Sequence, residues 1–355
     1  MISSFRVSNY RQFEDLHVEG LRRLNLIVGE NAVGKSALLE AIWLHVNDGT
    51  VDVLKDILAM RGETCKPGLY AENPKDLARS PLSTFTPWPP EQGSTDFEWR
   101  TWAGNESEPR ESRYVVSLNE YARGQAAYST SSDDLNEIFY GKKISESKDP
   151  VLYWHLFPIN IADFEKASRL QSKRGNNVFV PAIGLDADFV RDFWEKVALT
   201  EVEDEVDRAV QLLEPAIQRI SLGSGNPVVK LKNAPAPIPM SRLGEGMTRL
   251  FALALAVVNA KGGVLLIDEI ETGMHRATLD RMWRFLFTLA ERFNVQLFAT
   301  THSWDCISSF AAAAKAAGED VAALIRLERK DGKVVAVTYD EQTLATATEQ
   351  GIEVR

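Results

Sequence analysis

The spacing of apolar and polar positions changes several times along the chain, and each change marks an element. Phe5, Val7, Phe13, Leu16 and Val18 recur near a period of two between Ile2 and Gly20. That pattern predicts two half-buried strands leading into a largely apolar third one at Leu24 to Val28. Ala37 to Val46 then reads as a helix. Further on, Phe97 to Trp102 and Arg113 to Leu118 predict strands joined by a polar turn at Gly104 to Ser112, with another strand at Val151 to Leu156. These form an expected antiparallel β insertion. Pro81 to Gly93, PLSTFTPWPPEQG, predicts a loop. Trp88, Trp99 and Trp102 are assigned to core packing.

A buried strand is predicted at Asn177 to Pro181. Helical spacing follows from Asp186 to Ile220, with Phe189, Phe193, Val197, Val206, Val210, Leu213 and Ile217 on the repeating face. The acidic run Glu201 to Asp207 within it is a solvated face. This part is expected to be a separate helical lobe, and the Gly- and Pro-rich Ser221 to Pro239, around a short strand at Val228 to Leu231, a hinge. A long apolar helix is predicted at Phe251 to Ala260, strands at Val264 to Ile267 and Val295 to Ala299, and a hairpin at Leu324 to Tyr339 around Asp331-Gly332. The expected division is an N-terminal lobe over 1–181, a helical lobe over 182–235 and a C-terminal lobe over 236–355.

Composition narrows the class. With 355 residues the chain can bury one large core or two smaller ones, and 45% hydrophobic with 25% charged residues is an ordinary globular balance. No apolar stretch reaches the length of a membrane span, and MISSFRVSNYRQF is not expected to be a secretory signal. Cys65 and Cys306 are too few for a disulfide framework or a zinc site, so a reducing cytoplasm is the expected setting. The net charge of −10 argues against a uniformly basic nucleic-acid wrapper and leaves room for a local patch. Arg22-Arg23, Lys142-Lys143 and Lys173-Arg174 are read as solvated pairs. The five histidines do not cluster, and Glu271 with His275 is a local pair rather than a zinc site.

The chemistry begins at NLIVGENAVGKSALL. Gly29, Gly34, Lys35 and Ser36 fit G-x-x-x-x-G-K-[ST] between a strand and a helix. Such a loop curls so that backbone N–H groups meet phosphate oxygens at a helix N-terminus. Gly29, Glu30, Asn31, Ala32, Val33, Gly34, Lys35, Ser36 and Ala37 are therefore the expected nucleotide-binding residues, with Lys35 on the β- and γ-phosphates and the Ser36 hydroxyl on Mg²⁺. In SNYRQF, Arg11 could approach the nucleotide, and Tyr10 or Phe13 could either stack on adenine or pack in the core. VLLIDEIE, residues 264–271, ends an apolar strand in two acids. Asp268 is the candidate metal ligand and Glu269 the candidate general base.

The order of motifs is phosphate loop, SRLGEGMTRL on a helix, Asp-Glu strand, then a strand running into Thr300-Thr301-His302-Ser303. It resembles ABC-type ATPases of the SMC-like group, most closely the overcoming-lysogenisation-defect (OLD) type. The resemblance implies an α/β P-loop NTPase of ABC-head type with a mixed central sheet, using ATP and Mg²⁺. It makes Leu243, Gly244, Glu245 and Gly246 a signature that contacts ATP held by a second copy, His302 a switch histidine acting with Glu269 and Lys35, and Gly273, Met274 and His275 the D-loop. A homodimer or higher homo-oligomer, with a separate nuclease or toxin effector in anti-phage defence or DNA surveillance, follows as an implication. A DNA-repair clamp and a slow or inactive ATP-locked scaffold stand as alternatives. Gly244 replaces the usual signature serine, and Ala182 stands where a Q-loop glutamine is expected. The interval between the phosphate loop and the acidic motif has no room for a long coiled coil, and no TOPRIM nuclease domain is expected after the hairpin.

Overall fold

Apolar residues on both faces of a strand call for layers on both sides, and the central strands of this chain have that pattern. A computed structural model describes residues 1–47, 53, 56–57, 60–61, 96–104, 110–118, 137–145, 155–160, 173–182, 184, 187–223 and 226–349. In chain order it begins with β1 (Ser4–Tyr10), β2 (Phe13–Val18), β3 (Leu24–Gly29) and α1 (Lys35–Val46). Then come β4 (Asp96–Gly104), β5 (Arg110–Leu118), β6 (Glu137–Ser145), β7 (His155–Asn160), β8 (Lys173–Arg174) and β9 (Asn177–Val180). Helices α2 (Ala187–Glu195) and α3 (Glu201–Gln211) lead to β10 (Ile217–Gly223), β11 (Asn226–Leu231) and β12 (Ile238–Pro239). A 3₁₀ turn (Met240–Leu243) enters α4 (Glu245–Asn259), followed by β13 (Val264–Ile267), α5 (Arg276–Arg292), β14 (Gln296–Thr300) and α6 (Trp304–Ala317). The hairpin β15 (Ala322–Lys330) and β16 (Lys333–Tyr339) precedes α7 (Glu341–Glu349).

Among these residues, a seven-stranded sheet has the order β16-β15-β3-β14-β13-β9-β8. Its strands from β15 to β9 run parallel, with β16 and β8 antiparallel at the edges. Strand alternation divides the core into two layers. Leu24, Leu26, Val28, Leu265, Ile267, Leu297 and Ala299 face α4, α5 and α6. Ile27, Phe179, Leu266, Phe298 and Ile325 face α1, whose other side meets Phe5, Val7, Tyr10 and Phe13 of the second sheet. Sandwiched in this way, α1 is apolar nearly all round, and Trp43 within it is fully buried.

The second sheet is antiparallel, β2-β1-β4-β5-β6-β7, and includes the expected insertion. Strand β6 was not among the predicted elements, and of the strand expected at Val151 to Leu156 only His155 and Leu156 fall among the described residues, where they belong to β7. The predicted loop Pro81 to Gly93, Trp88 and Cys65 lie outside the described residues; Trp99 and Trp102 fall in β4. The mixed α/β sheet, with a glycine loop between its first parallel strand and α1, has the arrangement of a P-loop fold. No helix among the described residues is long and apolar enough to cross a membrane.

Three expectations change. Helical spacing had carried through Ile217, but α3 ends at Gln211 and Ile217 opens β10. Pro215 explains the break, because it lacks an N–H and pushes the preceding residue out of helical geometry. Within the expected hinge over 221–239, residues 221–223, 226–231 and 238–239 belong instead to a three-stranded antiparallel sheet, β10-β11-β12. Finally, Val190, Phe193, Trp194, Val206, Ala209 and Val210 of α2 and α3 share one buried cluster with Phe251 and Leu255 of α4. Two short helices with one apolar stripe each cannot close a core alone, so they borrow that of the C-terminal segment.

Candidate functional site

Parallel register brings distant residues to one edge. Ile267 pairs with Ala299, Ala299 with Leu26, and Thr300 with Ile27. Strands β3, β13 and β14 therefore end together, and the segments that leave their C-terminal ends meet one another. Crevices outside the C-terminal ends of parallel strands are where open α/β sheets hold ligands.

The loop after β3 can fold only with glycine at its two ends. Gly29 has φ +142°, and a Cβ there would lie 2.4 Å from the Leu327 carbonyl oxygen. Gly34 has φ +115°, and a Cβ would meet Gln12 Nε2 at 2.3 Å and the Phe13 ring at 2.7 Å. Ala32, at φ +59°, stands at the exposed apex with Glu30 and Asn31. Val33 and Ala37 are buried against the second sheet. Gly34 precedes the first turn of α1, whose unpaired N–H groups open toward the loop.

Lys35 donates from Nζ to the carbonyls of Gly29 at 2.7 Å and Glu30 at 2.9 Å. Burial pushes its ammonium below the ordinary lysine value, while the carboxylates of Asp268, Glu269 and Glu271 act in the opposite sense. Ser36 Oγ donates to Asp268 Oδ1 at 3.1 Å, and Thr300 Oγ1 donates to the same oxygen at 2.5 Å. The Thr300 hydroxyl also accepts the Glu269 N–H at 2.8 Å, and the Ile270 N–H reaches the Thr300 carbonyl at 3.0 Å. Asp268 is tied to the neighbouring strand by its own N–H, which donates to Val180 O at 2.9 Å.

Glu269 has φ +47°, a left-handed conformation that a non-glycine residue keeps only when its surroundings enforce it. The Thr300 hydroxyl on its N–H and the Thr272 N–H on its carbonyl, at 3.0 Å, do so here. Its side chain, 43% exposed, stands 3.6 Å from His302 Nε2, longer than a hydrogen bond. Glu271 Oε1 accepts the His302 N–H at 2.8 Å. A buried lysine, hydroxyl and carboxylate oxygens, and an acid beside an imidazole thus share one mouth, open to solvent. Such a set can hold polyphosphate and deprotonate a water.

Other predicted residues lie elsewhere. Arg11 is directed at the buried Glu40, with Nε 2.6 Å from Oε2, and Arg61 Nε is 2.5 Å from Oε1. Tyr10 donates to Glu40 at 3.2 Å, and Tyr10 and Phe13 are both core residues, which resolves the stacking alternative in favour of packing. The adenine reading fails for these rings because both are fully buried in the cluster they share with α1. Leu243 ends the 3₁₀ turn, while Gly244, at φ +102°, and Glu245 are exposed at the head of α4, with Gly246 beside Thr278. Ala182 lies just past β9. His275 caps α5 by accepting the Ala277 N–H at 3.3 Å, and no His, Cys, Asp or Glu cluster among the described residues could hold a metal alone. Thr300 and Glu271 had no place among the predicted site residues; only the Thr-Thr-His run after an apolar strand pointed to the first of them.

The AAA ATPase domain family matches residues 1–71, and the family described as "AAA domain, putative AbiEii toxin, Type IV TA system" matches residues 173–305. An ATP/GTP phosphatase from Helicobacter pylori is 22% identical over 325 residues, covering 86% of this chain and 86% of that protein. The DNA replication and repair protein RecF from Bacillus cytotoxicus is 46% identical over 43 residues, 12% of each chain. The SMC head domain from Thermotoga maritima matches in structure with a TM-score of 0.49 at 13% identity, covering 95% of this chain and 98% of that one. In its family matches over residues 1–71 and 173–305 and in the build of its phosphate loop, the chain is similar to AAA ATPases.

Proposed function

We propose that this chain binds MgATP and hydrolyses it to ADP and phosphate. The observation that supports this best is the meeting of Lys35, Ser36, Asp268, Glu269 and His302 at the shared end of β3, β13 and β14. Lys35 and the amides of residues 29–37 bind the phosphates. Glu269 takes a proton from the attacking water, and His302 lies across from it to bond the phosphoryl group in transfer. The Ser36 hydroxyl and Asp268 carboxylate, 3.1 Å apart, are oxygen donors of the kind Mg²⁺ takes together with water and phosphate oxygens. When bound, the ion supplies charge neutralisation at the β- and γ-phosphates.

The finer reading is that of an OLD-like head. Gly244 and Glu245, exposed at the start of α4, would meet nucleotide held by a second copy, so that ATP drives a homodimer or larger homo-oligomer. A separate nuclease or toxin would be the effector, in anti-phage defence or DNA surveillance. The absence of a hydroxyl at Gly244 favours, as a second reading, a slow ATP-locked scaffold.

Steady-state ATP hydrolysis with and without duplex DNA, with Glu269→Gln as control, tests the assignment, and light scattering with ATP tests the dimer. Turnover abolished by Glu269→Gln supports the site. Salt-sensitive stimulation by DNA moves the reading to a clamp. ATP binding without turnover moves it to the scaffold, and turnover unchanged in Glu269→Gln refutes the catalytic assignment.

A further inference from the structure

The outer hairpin alternates along its length, and one position breaks the pattern. In β15, Ile325 and Leu327 are buried in the layer that holds α1, as is Val334 of β16, which pairs with Arg329 and so shares its face. Arg326 and Glu328 occupy the alternate face and pair with each other at 2.7 Å. The next place on the buried face after Leu327 holds an arginine, Arg329. Leu327 is also the last residue of β15 to pair with β3, opposite Gly29. Arg329 therefore stands where that pairing has ended and the phosphate loop begins.

What Arg329 meets there is the apex of the loop. Its Nη2 donates to the Ala32 carbonyl at 3.3 Å, and among the described residues it has no ion-pair partner. Ala32 is the left-handed residue of the loop, at φ +59°, a conformation that its surroundings must hold. A loop that turns its N–H groups toward phosphate turns carbonyls outward, and those carbonyls require donors. Lys35 supplies them at the start of the loop, to Gly29 and Glu30, which leaves one of its three N–H groups for phosphate. Arg329 supplies the donor at the apex. The hairpin that carries it is anchored in turn on the β1–β2 segment: Lys333 Nζ lies 2.8 Å from Glu14 Oε2, and Thr338 Oγ1 donates to the Glu19 carbonyl at 2.7 Å.

We propose that Arg329 is a positioning residue for nucleotide binding. From 297 positions away in the sequence it holds the Ala32 carbonyl, so that the N–H groups of residues 30–34 keep the curl that receives the phosphates. This rests on the ATP-binding reading of the loop. Arg329 acts through the loop and not on the phosphoryl group in transfer, so its contribution is the same in the ground state and in the transition state.

The test is affinity for a fluorescent ATP analogue, with kcat and KM for ATP, on Arg329→Ala, Arg329→Lys, Lys333→Ala and Lys35→Ala. Arg329→Ala is expected to weaken analogue binding about threefold to tenfold, the worth of one hydrogen bond. KM should rise in step while kcat stays within about twofold of native, the mark of binding shared by ground and transition states. Arg329→Lys, which can still donate, recovers part of the affinity. Lys333→Ala removes the same charge from the same hairpin without touching the loop, and its affinity is expected within about twofold of native. The Arg329→Ala loss persists in about 1 M salt, where the pull of an exposed charge on phosphate is screened. A loss of less than about threefold in Arg329→Ala, an equal loss in Lys333→Ala, or a loss that vanishes in high salt overturns the proposal. Binding that survives Lys35→Ala removes the phosphate-loop reading and this proposal with it, whereas binding lost in Lys35→Ala and kept in Arg329→Ala overturns the proposal alone.

Discussion

Two glycines with similar backbones and different neighbours allow packing to be separated from strain. Gly34 has φ +115° and Gly244 φ +102°. An alanine at either position must hold a conformation L-residues avoid, at about 1–3 kcal/mol. Gly→Ala also reduces the freedom of the unfolded chain, worth about 0.4–1 kcal/mol in the opposite sense, and that contribution is common to both. What differs is space. Nothing lies within 4 Å of a Cβ on Gly244, whereas one on Gly34 would meet Gln12 Nε2 at 2.3 Å and two Phe13 ring atoms at 2.7 and 2.8 Å. The amide of Gln12 can move aside, but Phe13 is 1% exposed and wedged in the layer between α1 and the antiparallel sheet. Forcing a core ring aside adds about 1–3 kcal/mol.

Gly34→Ala is therefore expected to lose about 1–5.5 kcal/mol and Gly244→Ala about 0–2.5 kcal/mol once the unfolded-state gain is subtracted. Urea denaturation, followed by circular dichroism at a common slope, gives the ranking. A Gly34→Ala loss no larger than that of Gly244→Ala would show that Phe13 yields freely, and the account of why this loop requires glycine would be wrong. The same variants divide function: Gly34→Ala should weaken binding of ATP itself, because the loop amides move, while Gly244→Ala should leave binding by the isolated chain intact.

Thr300→Val removes the hydroxyl that donates to Asp268 and accepts from Glu269, so about 1–3 kcal/mol of stability should go with each group left unmet, and kcat for ATP should fall with it; unchanged stability and rate would dismiss the bridge. Glu40→Ala leaves the Arg11 and Arg61 guanidiniums and the Tyr10 hydroxyl without their shared acceptor, and should cost about 3–5 kcal/mol in denaturant, a small loss showing that the cluster is solvated. Burial raises the Asp207 carboxyl to about 6, against the pull of Arg219 and the Ile220 N–H and with Glu203 and Asp204 adding to the rise. The folded state then binds the proton more tightly than the unfolded one, so this group's contribution is fully present below pH ~4 and is lost as pH rises through about 6. Asp207→Asn should remove that part of the pH slope, and a native-minus-variant difference flat between pH 4 and 7 would refute it.

Much of the frame was legible because its signals are local. Period-two alternation marked β1 and β2, the Asp331-Gly332 turn marked the β15–β16 hairpin, and the largely apolar runs at Leu24 and Val264 marked strands buried on both faces. The hairpin turn at Asp331-Gly332 adopts the positive φ angles, +51° and +80°, that its dipeptide signals. The elements that were missed depend on distant partners. Strand β6, EIFYGKKIS, has weak alternation and exists by pairing with β5 and β7. Ile217 continues a helical spacing by chance, and Pro215 together with pairing to β11 overrides it. Arg11 looked available to a nucleotide because its acceptor, Glu40, belongs to α1 and cannot be foreseen from the segment SNYRQF.

The site itself shows the same division between what a motif carries and what register adds. Lysine, serine and the paired acids announce themselves in sequence because each sits in a short pattern with a fixed backbone role. Thr300 has no such pattern; it matters because β14 lies between β3 and β13, with Thr300 beside Ile27 on one side and Ala299 beside Ile267 on the other. From there one hydroxyl can reach both Asp268 and the Glu269 N–H, holding the acidic pair in a conformation that its own residues disfavour. A one-residue slip of β14 would turn that hydroxyl to the opposite face of the sheet and leave the left-handed Glu269 unsupported. The chemistry therefore depends on strand order as much as on the motifs. That is why β14, which supplies neither a phosphate-binding residue nor a metal ligand, is the strand whose register the site can least tolerate losing.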